Sequence, residues 1–231
     1  MNKKDFLLPL TLVLMLAAIY ASLIYAPTVQ DTDDYEWAAP ETQRIFYFHL
    51  PLAITSYLAF FVVFVSGILY LKKKDLKWDI IAASSAEVGV LFCTLAIITG
   101  TIWAKAEWGM FWDWGDMKLN TTLVLWMIFI AYQSIRSSVE EKEKRARLSA
   151  VYGIIGFTGV PLSYFSFFIW EYIHPKVVSP GGGGLNPEMR TALLISMFAF
   201  MVFYVYLLSK RIDLAHLSER VEIIEERLEE S

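Results

Sequence analysis

The sequence predicts an all-α fold: an integral membrane bundle of six transmembrane helices, both termini cytoplasmic, closed by an amphipathic C-terminal helix. Three observations carry this. The chain is 56% hydrophobic over 231 residues, above the roughly 45–50% of ordinary soluble domains. Charge-free apolar runs long enough to cross a bilayer recur along it, each near the roughly 17–25 residues a spanning helix needs. Basic residues collect in alternate connecting segments. The formal net charge of -4 argues against a general affinity for nucleic acid, and a single cysteine, Cys93, rules out an internal disulfide or a cysteine-based metal cluster.

The expected spans, in order, are 6–26, 45–71, 88–104, 119–135, 148–170 and 191–209. The first follows Lys3 and Lys4 and is longer than a signal-peptide core, so it reads as a retained helix. The third is expected to begin nearer Asp79, which places Glu87 inside it, free to snorkel or to pair with Ser84 or Ser85. Basic clusters at Lys3 and Lys4, at Lys72, Lys73, Lys74 and Lys77, within 136–147, and from Lys210 onward fall on one side of a six-span layout. By the positive-inside rule that side is cytoplasmic. The chain divides into a membrane domain, 1–210, and a tail, 211–231. In the tail Leu214, Leu217, Val221, Ile224 and Leu228 alternate at spacings of three and four, the stripe of an amphipathic helix or short coiled coil.

The three segments assigned to the outer side, 27–44, 104–118 and 171–188, hold most of the chemistry. The second reads AKAEWGMFWDWGDMK. Trp103, Trp108, Trp112 and Trp114, with Phe111 between them, exceed what an interfacial aromatic belt requires. Interleaved with Gly109, Asp113, Gly115 and Asp116, they suit a surface that covers something large, flat and apolar, with polar groups at its rim. A porphyrin has that form. Two of the three histidines flank this segment: His49 in RIFYFHLPLA and His174 in WEYIHPK. Taken singly, each is an ordinary polar residue at a helix end. Together on one side, two imidazoles could ligate a heme iron from opposite faces. His216 lies in the charged tail and is expected to be solvated; Cys93 is expected to be a small packing residue.

These residues resemble a known family. WGMFWDWGD is similar to the WWD signature of heme-handling proteins, in particular their CcmC branch in cytochrome c maturation. RIFYFHLPLA, with Arg44, Tyr47, His49 and Pro51, resembles the family's first histidine segment. ITGTIWAKAEWG, with Thr99, Gly100, Trp103, Trp108 and Gly109, resembles the approach to the signature, and NPEMR at 186–190 resembles the run before the last span. Gly115 separates Trp114 from Asp116, so Asp116 and Lys118 align with the family pattern through a one-residue insertion.

The resemblance implies that heme b is held at the outer face of a prokaryotic plasma membrane. The implied binding residues are Trp108, Gly109, Phe111, Trp112, Trp114 and Asp116, with His49 and His174 as axial ligands of the iron. Arg44 and Arg190 are placed either to meet propionates or to anchor their helices. The implied partners are a CcmE-like periplasmic heme chaperone, CcmA- and CcmB-like subunits of an ABC transporter, a small CcmD-like membrane subunit and membrane lipid. No nucleophile or acid–base arrangement points to an enzyme. The rival readings are a heme lyase or cytochrome c synthase subunit and a membrane electron-transfer cytochrome.

Overall fold

The computed structural model describes residues 6–29, 37–170 and 185–229, and among these the regular structure is helical throughout. Helix α1 (Leu7–Tyr20) runs into a π-helical turn, Ala21–Tyr25. A 3-10 turn, Pro40–Ile45, leads into α2 (Phe46–Lys73). There follow α3 (Leu76–Trp108), α4 (Met117–Ser138), α5 (Lys142–Gly156), α6 (Gly159–Ile169) and α7 (Pro187–Glu229).

The α2–α3 hairpin is the centre of the bundle, and its hinge is written in two residues. Lys74 takes a left-handed conformation (φ 55°) and donates its amide to the Tyr70 carbonyl, ending α2. Asp75 then accepts the Lys77 amide at 3.0 Å and starts α3 as its N-cap. The Lys77 side chain and amide together hold the Asp75 carboxyl below its ordinary pKa. Farther along, a Cβ at Gly89 would sit 2.7 Å from the Phe60 ring, so glycine there lets α2 and α3 close up. Phe60 stacks on Phe129 of α4 with ring centroids 3.7 Å apart, and Leu125, Tyr132 and Val160 complete that core. Phe92, Phe200 and Tyr204 form a second core between α3 and α7.

Five helical segments among the described residues are long and apolar enough to cross a membrane: Leu7–Tyr25, Pro40–Lys73, Leu76–Trp108, Lys142–Ser166 and Pro187–Glu229. The expected fourth span, 119–135, lies in α4. Its 22 residues would measure about 33 Å at 1.5 Å per residue, which is sufficient length. Lys118, Asn120, Thr121, Thr122 and Gln133 near its ends lower its apolarity below the other five. The expected fifth span is not one regular α-helix: it is interrupted by a turn at Phe157 and Thr158, between α5 and α6, just before Pro161. The third does begin before Asp79, at Leu76.

Charges inside the helices are paired across them. Arg136 of α4 grips Asp79 of α3 through two hydrogen bonds, the longer 2.9 Å. Glu87 pairs with Arg211 of α7 through both carboxylate oxygens rather than with a neighbouring serine. Ser85 bonds instead to the Ala59 carbonyl and the Tyr204 hydroxyl. These pairs, with Lys142–Glu222 at 2.8 Å, tie α3, α4, α5 and the tail of α7 together at one end of the bundle. Helix α7 runs without interruption through 210 and 211, where apolar sequence gives way to tail.

Candidate functional site

The starts of α2 and α4 and the end of α3 meet at the other end of the bundle. Each presents one helical face. His49, Ala53 and Tyr57 follow at i, i+4 and i+8 on α2; Ile97, Gly100, Thr101, Ala104 and Trp108 form the facing stripe on α3; Lys118, Leu119 and Thr122 complete it from α4. With Trp103, Glu107 and Trp112 they line an apolar pocket between the three helices.

His49 is fixed in orientation. Its Nδ1 lies 3.0 Å from the Ala96 carbonyl oxygen and 3.2 Å from the Thr99 hydroxyl. A carbonyl can only accept, so Nδ1 carries the proton and the lone pair resides on Nε2. That is the tautomer an imidazole uses to bind a metal, steadied by a backbone carbonyl behind it. The ring is admitted by Gly100: a Cβ there would lie 2.8 Å from His49 Cε1. Trp103 meets the same imidazole edge-on at 6.1 Å and stacks at 3° to the Trp37 ring on its other flank. The Trp103 Nε1–H is buried with no hydrogen-bond partner among the described residues, a donor that an incoming acceptor would satisfy.

The tryptophan segment divides into residues that line the pocket and residues that shape the loop. Gly109 (φ 74°) terminates α3 in the left-handed conformation glycine favours, and its carbonyl accepts the Lys105 ammonium at 2.6 Å. Asp113 accepts the Gly115 amide at 2.8 Å in a side-chain-closed turn. Asp116, 1% exposed, caps α4 by accepting the Lys118 and Leu119 amides. Both aspartates therefore have local structural roles. Trp112 donates to Asn120 Oδ1 at 3.3 Å and tilts against Trp114, 5.7 Å away. Trp114 and Phe111 are 73% and 60% exposed and lie outside the pocket lining, at the surface beside it.

Arg44 is engaged elsewhere: its Nη1 donates to the carbonyls of Ser22, Leu23 and Ala26 at the end of the first helical segment, and its Nε to Glu41. It thereby ties down carbonyls that a helix end leaves unsatisfied. Arg190, in the first turn of α7, is exposed and reaches the Leu185 carbonyl at 3.3 Å. Neither lines the pocket. His174 lies outside the described residues, as do the acidic run 31–36 and the glycines 181–184. His216 stays in the tail, 3.9 Å from Glu219, and Cys93 is buried in the core that includes Tyr57 and is not itself part of the pocket lining.

Two charged residues also line the pocket: Lys118, met in the sequence only as part of the signature alignment, and Glu107, not singled out there. Lys118 points its ammonium to the Tyr57 hydroxyl (2.9 Å) and the Ser163 carbonyl (2.8 Å), while Tyr57 and Thr122 both bond to the Ser163 hydroxyl. It places a positive charge in the pocket wall. Glu107 accepts the amides of Ala38 and Ala39 at 3.1 and 3.2 Å, which holds the segment carrying Trp37 against the pocket. Glu107 follows Trp103 by four residues on α3, on one helical face, which was the available signal for it.

The chain matches the protein-family profile of CcmC, heme exporter protein C, over residues 2–227. It is 29% identical to heme exporter protein C of Bradyrhizobium diazoefficiens over 199 residues, covering 85% of this chain and 72% of that one. It is 27% identical to heme exporter protein C of Escherichia coli over 187 residues, 80% and 72% of the two chains. The namesake from Haemophilus influenzae is 26% identical over 215 residues, 91% of this chain and 83% of its own. A match that spans the bundle and the pocket alike places this chain in the CcmC, heme exporter protein C, family.

Proposed function

We propose that this protein handles heme for cytochrome c maturation, binding heme b at the pocket between α2, α3 and α4 and presenting it to a heme chaperone. The observation that carries this reading is His49: an imidazole whose Nδ1 proton is committed to a backbone carbonyl, beside stacked tryptophans, in an apolar pocket. One imidazole gives a metal one bond, which suits an iron that brings four nitrogen ligands of its own. Trp108 and Trp112 offer apolar faces to a macrocycle. Lys118 supplies a cation for a propionate. Trp114 and Phe111, exposed next to the pocket, would cover the ring edge or meet the receiving partner. His174 is the second axial ligand in this reading. The reading needs a binder rather than an enzyme: hold heme in one pose, keep an edge reachable, and release it.

The same reading makes α4 the sixth span, both termini cytoplasmic and the pocket periplasmic at a bacterial inner membrane. That orientation is supported by the basic clusters at the far end of the bundle. CcmA-, CcmB- and CcmD-like subunits would assemble with it in the membrane, and a CcmE-like chaperone would receive the heme.

The test is purification of the full chain from heme-sufficient cells with optical spectra and a maturation assay. A Soret band in the native chain, lost in His49→Ala with His174→Ala together with c-type cytochrome formation, is the expected result. A heme-free native preparation, with maturation intact in the double variant, overturns the proposal.

A further inference from the structure

The C-terminal third of α7 presents its faces in an order unusual for a helix resting on its own bundle. Its polar side is the one turned inward. Arg211, Ser218, Glu219 and Glu222 line a polar cleft with Glu87 and Lys142, and the Lys142–Glu222 and Arg211–Glu87 pairs clamp that side in place. The apolar side looks away: Leu214, Leu217, Val221, Ile224 and Leu228 are 46–69% exposed. Lipid does not cover all of this stripe. At 1.5 Å per residue the 43 residues of α7 measure about 64 Å, whereas the hydrocarbon core takes about 30 Å. The helix continues past the apolar band by several turns.

We propose that this stripe is the seam of a parallel, in-register two-stranded coiled coil with a second copy of the same chain. The spacing assigns Leu214, Val221 and Leu228 to heptad position a, and Leu217 and Ile224 to position d, all aliphatic. The flanking positions distinguish the occupant. Arg220 falls at g and Glu225 at the e position of the next heptad. In a parallel in-register homodimer g faces that e across the seam, so the two chains make two symmetry-related Arg–Glu pairs. In an antiparallel pair like would face like. Both residues are exposed, and among the described residues neither makes an ion pair within the chain. Copies inserted by the same loop charges share one orientation in the bilayer, so parallel approach is enforced. Confinement to one membrane raises the effective concentration enough for a seam of about two heptads. The proposal is independent of heme binding.

Cysteine cross-linking of the full-length chain in membranes tests it, on a Cys93→Ala background. Ile224→Cys is expected to give a disulfide-linked homodimer on mild oxidation. Glu226→Cys, on the bundle-facing side, is expected to give about a tenth as much or less. Adding Arg220→Glu to Ile224→Cys should cut the dimer roughly fivefold, because two attractions become repulsions. Adding Glu225→Arg as well should restore it. Equal cross-linking at 224 and 226, failure of the charge swap to restore the dimer, or adducts only with another protein would each overturn the proposal.

Discussion

At the scale of single residues, the pocket depends on what is missing from Gly100 as much as on what His49 supplies. Glycine permits the imidazole to lie against α3, where the Ala96 carbonyl selects the tautomer. Gly100→Ala should push the ring from that carbonyl. Its helix propensity rises by up to about 1 kcal/mol, so the fold is retained while heme affinity falls by roughly tenfold or more in a Soret titration. Unchanged affinity would show that the His49–α3 contact is dispensable. His49 and the tryptophans were legible as residue types: few side chains ligate iron, and four tryptophans within twelve residues need a reason. Arg44 shows the limit. A cation near a site has several acceptors within reach, and only folding shows that helix-end carbonyls claim this one.

At the scale of elements, the membrane helices are joined by buried charge as well as apolar packing. Asp79 and Arg136 are 9% and 15% exposed in their side chains and bond through both ends of the guanidinium. Removing one partner leaves the other charge buried alone, a loss of about 3–5 kcal/mol. Asp79→Leu should therefore lower the thermal midpoint in detergent markedly, whereas Asp79→Leu with Arg136→Leu should recover most of it. Equal loss in single and double variants would show that the pair itself, not the orphaned charge, stabilises α3 against α4. Helix existence, α4 included, was readable from apolar run length, but the break between α5 and α6 was not, since a local break leaves the average hydropathy of a run nearly intact. The pairing of Glu87 with Arg211 was equally hidden: 124 residues separate them in sequence.

At the scale of the whole molecule, the bundle has two chemically distinct ends. One gathers the aromatic pocket; the other gathers Asp79–Arg136, Glu87–Arg211 and Lys142–Glu222. If the six-span orientation holds, Phe111→Cys on the Cys93→Ala background should react with an impermeant maleimide from the outside of intact cells. Lys73→Cys and Glu226→Cys should react only after permeabilisation. Labelling of all three from one side would overturn the topology.

Read alone, the sequence established a helical, membrane-suited chain with its tryptophan segment and His49 at span ends, because run length acts locally and adds along the chain. The family signature is likewise a string of adjacent residues. Which members of that string line the pocket and which build the loop emerged from the packing of the helices. The tertiary structure gave Asp113 and Asp116 to a turn and a helix cap, Arg44 to a helix end, and brought Tyr57, Glu107 and Lys118 to the site. The reason is physical: a polar side chain satisfies whichever partner the packing of helices brings within about 3 Å, and that distance is set by contacts between elements remote in sequence.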